Sequence, residues 1–135
     1  MKSTQNTQAA PVALFSLDQL NKIGNNDKTF TKKMLEKFID QVLECSETLR
    51  SAILESDWLK LKTIAHKNIP SYSLMGLDEL VNLLQYTEIQ SRKNKEYNHM
   101  LEIVEIICEK NNAVISAIKK HLRIMDSGKI DLEDN

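Results

Sequence analysis

The sequence predicts an all-α fold, an antiparallel four-helix bundle with a short extra N-terminal helix. Three observations predict it. Only three Gly and two Pro occur in 135 residues, too few for a sheet full of turns. Leu, Ile, Lys and Glu dominate, as in helical proteins. Apolar residues recur at alternating spacings of three and four in long stretches joined by short connections. The length suits one domain with its own core. We divide it into a disordered tail (1–13), the helical bundle (14–125) and a flexible acidic tail (126–135).

The first helix is expected from Leu17 to about Ile23. Ser16 and Gln19 have the spacing of a capping box, and Gly24-Asn25-Asn26 stops the helix. The second starts at the cap Asp27 and runs to about Glu55. Its seam is Leu35, Phe38, Val42, Cys45, Leu49 and Ala52, widened by Met34, Ile39, Leu43 and Ile53. Ser56-Asp57 caps a third helix, from Trp58 to about Tyr72. Gly76 marks the break before a fourth, Leu77 to Ser91, with Asp78 and Glu79 well placed in its first turn. Leu77, Leu80, Leu84 and Thr87 are its seam. Asn94 is the expected cap of a fifth helix reaching about Met125. There Tyr97, Leu101, Val104, Cys108, Asn111, Ile115, Ile118 and Leu122 keep the three-four rhythm.

Charge and composition exclude several classes. Eighteen basic and 19 acidic residues give a formal net charge of −1, without the basic excess of a nucleic-acid platform. No apolar run approaches the ~18 residues of a membrane span, and Met1–Ala10 lacks an apolar signal core. A cytoplasmic protein with no membrane partner is the expectation. Cys45 and Cys108 lie on helical seams, which predicts two buried free thiols. No two of the three histidines have zinc-site spacing, so no metal site is expected. His99 and His121 are expected to be solvated.

One stretch carries chemistry: Ile64-Ala65-His66-Lys67-Asn68-Ile69-Pro70-Ser71-Tyr72-Ser73-Leu74-Met75-Gly76. It resembles the active-site helix of the histidine-containing phosphotransfer (HPt) domain family, whose pattern is Ala-His-x-Leu-Lys-Gly-Ser-x-x-x-x-Gly. Ala65, His66, Ser71 and Gly76 match. Asn68, Ile69 and Pro70 stand where the family usually has Leu, Lys and Gly. The likeness spans about Ser16 to Leu122 and includes Phe38-Ile39, Asp57-Trp58 and Glu88.

The resemblance implies a phosphorelay module of two-component signalling. His66 would carry a phosphoryl group between aspartates of response-regulator receiver domains, fed by a hybrid sensor histidine kinase. It implies a carrier rather than an autonomous enzyme. No cofactor is expected on this chain, since magnesium would come with the receiver. The sequence shows no ATP site, Gly-rich phosphate loop or carboxylate cluster.

Helical geometry tests His66 without the family. At about 100° per residue, Trp58, Leu61, Ile64, Ala65 and Tyr72 define a buried stripe, and His66 lies roughly 130° from its centre. It therefore projects outward. Phosphoryl transfer to it needs an accessible neutral imidazole nitrogen and positive charge near the phosphoryl oxygens. Ile69 cannot supply that charge. Lys62, one turn before His66 on the same face, is the best substitute, and Lys67 points about 100° round the helix. Ser71 holds the family's hydroxyl position, although an idle helical Ser also bonds locally. Pro70 removes the amide that would bond the His66 carbonyl, at a cost on the order of 3 kcal/mol. Leu59, Ile69, Pro70 and Ser73 flank His66 as a docking patch for the partner. Two other readings stay open: a pseudo-HPt adaptor that binds receivers or kinases without carrying phosphate, and a helical assembly protein with an incidental His66.

Overall fold

The computed structural model describes residues 14–93 and 95–128. Among them it has five α-helices and no strand: α1 (Asp18–Ile23), α2 (Lys28–Leu54), α3 (Trp58–Leu74), α4 (Asp78–Lys93) and α5 (Tyr97–Asp126). The expected tail 1–13, the expected cap Asn94 and residues 129–135 lie outside the described residues.

The helix starts follow from local chemistry. Asp27 Oδ1 accepts the backbone N–H groups of Thr29 (3.0 Å) and Phe30 (3.5 Å), satisfying two donors that the first turn of α2 leaves unpaired. Asp57 Oδ1 does the same for Lys60 at 3.0 Å. The reversal before α2 places Asn25 and Asn26 in the left-handed region, at φ 58° and 60°, which Asn tolerates best among residues with a side chain. Gly24 is required by close approach, because a Cβ there would run into the Phe30 ring. Gly76, at φ 71°, closes the turn between α3 and α4, and a Cβ on it would sit 2.9 Å from Ser16 Cβ.

The capping box at α1 does not form. Ser16 Oγ accepts the Asp18 N–H at 3.2 Å, but the Ser16 N–H donates to the Met75 carbonyl at 2.8 Å. The donor that Gln19 would have satisfied is therefore taken by the α3–α4 turn. This bond pins the segment before α1 across the end of the helical bundle.

The expected seams form the core. Leu35, Phe38, Val42, Cys45, Leu49 and Ala52 of α2 are all buried, as are Leu61, Ile64, Ala65 and Tyr72 of α3 and Leu80, Leu84 and Thr87 of α4. Helix α3 packs on α2 and α4, and α5 packs on α2 and α4. Two expectations fail. Leu43 does not widen the α2 stripe and is 46 % exposed. At the start of α5, Met100 and Ile107 face inward, while Tyr97 is exposed and Leu101 only half-buried. A strict seven-residue repeat drifts by about 20° per heptad on a straight α-helix. Over the length of α5 that drift carries Tyr97 off the core and leaves Leu101 packed at its edge.

A polar network runs through this core. Tyr72 Oη donates to Asn111 Oδ1 at 2.9 Å, and Asn111 Nδ2 donates to Ser46 Oγ at 2.9 Å. The Cys108 thiol makes a weak contact of 3.7 Å with the Ser46 carbonyl. Three helices, α2, α3 and α5, are thus joined by buried groups that satisfy one another. Cys45 and Cys108 are buried free thiols. Burial pushes the Cys45 thiol up to about 11 and raises Cys108 as well, so neither is a ready nucleophile near neutral pH. No helix among the described residues is long and apolar enough to cross a membrane.

Candidate functional site

His66 sits in the middle of α3, on the side turned away from the core. The next residue but one, Asn68, is 1 % exposed, and Ala65 just before it is fully buried. These two fix the inward direction of α3, and the His66 side chain is 73 % exposed. It stands between neighbours on both flanks. On one side its Nδ1 lies 3.0 Å from Glu88 Oε2 of α4. On the other, Lys67 Nζ lies 3.4 Å from Glu44 Oε1 of α2.

The contact with Glu88 orients the imidazole. A carboxylate only accepts, so Nδ1 carries the proton and donates it to Oε2. The neutral ring then has its lone pair on Nε2, the nitrogen farther from Glu88. Glu88 is itself anchored, with a side chain only 23 % exposed. The carboxylate from the adjacent helix thereby favours the Nδ1–H tautomer of an exposed ring. The chemical capacity of such a group is nucleophilic or basic at Nε2.

The residues expected around His66 divide into four groups. Leu59, Pro70 and Ser73 are exposed, with Leu59 at 69 %, and lie on the His66 side of α3. Ile69 is half-buried and packs against the core, so it is only partly available at the surface. The cations also differ. Lys67 is drawn toward α2 by Glu44, whereas half-buried Lys62 forms no ion pair among the described residues. Ser71 faces α2, where its Oγ accepts from Gln41 Nε2 at 3.0 Å.

Gln41 and Asn68 were missed by sequence reasoning. Gln41 Nε2 donates to Asn68 Oδ1 at 3.0 Å as well as to Ser71, and Asn68 Nδ2 donates to the Ile64 carbonyl at 2.8 Å. This bracket holds α3 against α2 on either side of Pro70. Its signal was present in the sequence: Asn68 falls inside the apolar sector of α3, where a polar side chain needs a partner. Helix α3 continues through Pro70 to Leu74 although Pro70 has no N–H for the His66 carbonyl.

The other two histidines differ from the expectation of solvation. His121 is half-buried because the Phe15 ring packs edge-on against it, 5.9 Å between centroids. Burial lowers its pKa. His99 is half-buried and its Nε2 pairs with Tyr86 Oη. Among the described residues no three His, Cys, Asp or Glu side chains cluster as metal ligands. Comparisons with protein-family models, with curated proteins and with solved structures return no match.

Proposed function

We propose that the chain is a histidine phosphotransfer module in which His66 Nε2 accepts a phosphoryl group from a receiver-domain aspartate and passes it to another. The carrying observation is the exposed imidazole with Nδ1 held 3.0 Å from Glu88 Oε2. In the transfer, the Nε2 lone pair forms the N–P bond as the P–O bond to the aspartate breaks, and the carboxylate leaves with its electron pair. The positive charge that develops on the ring is stabilised by Glu88 through the Nδ1–H. The receiver would bring magnesium and most of the groups around phosphorus. The role left to this chain is to present a neutral, oriented nucleophile without ordering cost at the moment of encounter.

The proposal includes the finer architecture, an antiparallel four-helix bundle with α1 across one end. The sequence of contacts α2–α3, α3–α4, α4–α5 and α5–α2 supports it, as do the short connections. The bundle gives the site rigidity, since α3 is gripped by α2 and α4 on the two flanks of His66. Leu59, Pro70 and Ser73 supply surface for the partner, and Lys62 supplies charge.

The test is incubation of the purified chain with a phosphorylated receiver and magnesium, followed by detection of acid-labile phosphohistidine. Label is expected on the wild type and absent from His66→Gln. The substitution is at the surface and should change stability by less than ~0.5 kcal/mol. Label that maps to His99 or His121, or that survives His66→Gln, rejects the assignment. Receiver binding without label supports instead the adaptor reading, in which half-buried Ile69 serves packing and contact.

A further inference from the structure

We infer that Arg92 of α4 is a second phosphoryl-binding cation of the His66 site, reaching from the neighbouring helix to the side of the imidazole where Lys62 stands. The inference rests on the reading of His66 as a phosphoryl carrier, and it names a group that this chain itself brings to the phosphoryl oxygens.

One contact sets the register of α3 against α4. His66 Nδ1 and Glu88 Oε2 lie 3.0 Å apart. The two residues stand about equally far from the short connection 75–77, so the packed helices run in opposite senses. One turn further from that connection, the His66 face of α3 carries Lys62 and the Glu88 face of α4 carries Arg92. One turn nearer to it, the same faces carry Ile69, Pro70 and Gln85, none of them a cation. Positive charge is thus gathered on one side of the ring.

Arg92 is available for this role. It is exposed and forms no ion pair among the described residues. Glu88, the acid four residues before it, is turned to His66 instead. One helical turn is about 5.4 Å along the axis, a span that an extended Arg side chain covers. The planar guanidinium then offers a fork of N–H donors that matches two oxygens of a phosphoryl group. A cation in a last helical turn can also serve the helix dipole alone, and α4 ends with both Arg92 and Lys93. Lys93 is exposed, in the same turn and of the same charge, but it lies about 100° further round the helix, off the Glu88 face. It therefore separates a dipole role from a role at the site.

Arg92 makes no bond to phosphorus. While Nε2 forms the N–P bond and the P–O bond to the receiver aspartate breaks, the guanidinium donates to the equatorial oxygens, where negative charge is spread. With Lys62 it supplies from two helices the charge that Ile69 does not offer.

The experiment is single-turnover transfer to the full chain from a phosphorylated receiver with magnesium, across a range of receiver concentrations. Arg92→Gln should lower the saturating rate several-fold to tenfold and leave the half-saturating receiver concentration within about twofold of wild type. Arg92→Lys should recover part of the rate, since it keeps the charge and loses the fork. Lys93→Gln should transfer like the wild type. Circular dichroism checks that each variant is folded. Equal saturating rates for wild type and Arg92→Gln overturn the role of Arg92 while leaving His66 as the carrier. A defect that appears only in the half-saturating concentration also overturns it, because Arg92 would then hold the partner rather than the phosphoryl group. So does an equal slowing by Lys93→Gln, which would mark a general effect of charge at the end of α4. A wild type that never acquires label removes the His66 reading and this inference with it.

Discussion

Glu88 Oε2 of α4 lies 3.0 Å from His66 Nδ1 of α3, and the carboxylate is much less exposed than the imidazole it holds, 23 % against 73 %. The asymmetry matters, because a well-packed partner can orient a mobile one. A surface hydrogen bond of this kind adds little to stability, on the order of 1 kcal/mol or less. Its consequence is chemical: it selects which ring nitrogen is free.

Glu88→Leu should therefore change the tautomer before it changes the fold. In the wild type at a pH where the ring is neutral, ¹⁵N NMR should find the proton of His66 predominantly on Nδ1. In Glu88→Leu the two ring nitrogens should shift toward a mixed or Nε2–H population. Phosphoryl transfer to His66 should slow several-fold to tenfold, corresponding to about 1 kcal/mol of lost orientation and charge stabilisation. An unchanged tautomer ratio would mean that Glu88 does not orient the ring.

Most of this arrangement was legible in the sequence, and the exceptions share a cause. Asp27, Asp57 and Gly76 were readable because caps and turns depend on residues within a few positions of one another. The outward direction of His66 was readable because one helix repeat determines it. The pairing of Gln41 with Asn68 and Ser71 joins residues about thirty positions apart, and no local rule brings them together. Phe15 against His121 is the same case over a longer span. Leu43 failed for a different reason: a widened apolar stripe is buried only as far as neighbouring helices extend over it.

The buried chain from Tyr72 through Asn111 to Ser46 should be important for stability. Asn111→Leu removes both the acceptor for Tyr72 and the donor for Ser46, leaving Tyr72 Oη with the Cys45 thiol alone. Each lost bond to a buried group costs about 1–3 kcal/mol, so a loss of roughly 2–6 kcal/mol is expected. Tyr72→Phe leaves only Asn111 short of one bond and should cost less, about 1–2 kcal/mol. Urea midpoints at a constant slope check both values. A double variant less destabilised than the sum would confirm that the two residues belong to one network.

His121 gives the fold a pH dependence of predictable sign. Burial against Phe15 lowers its pKa in the folded state below the ordinary value of 6.5. The unfolded chain therefore binds the proton more readily. Stability contributed by the neutral ring is complete above about pH 6.5 and is lost as pH falls through the lower folded-state value. Unfolding midpoints should drop between pH 7.5 and 5, and His121→Phe should show a smaller drop than the wild type. An identical pH profile in the two proteins would assign the acid sensitivity to other groups.

Charge near His66 sets the final prediction. Ile69 stands one turn after His66, where it offers no cation, and Lys67 is engaged with Glu44. Lys62, one turn before His66 and without an ion pair among the described residues, is the cation of α3 that would meet the phosphoryl oxygens in the proposed transfer. A single cation at a half-exposed site contributes about 1 kcal/mol, several-fold in rate. Lys62→Ala should slow transfer from a phospho-receiver by that factor, and Ile69→Lys should accelerate it. Single-turnover rates at saturating receiver separate this effect from docking. Because Ile69 packs against the core, its replacement also removes apolar contact, so the stability of Ile69→Lys must be measured alongside its rate. If Lys62→Ala is neutral and a folded Ile69→Lys is slower, charge compensation fails. The half-buried Ile69 would then act by shape, positioning α3 beneath the docking face.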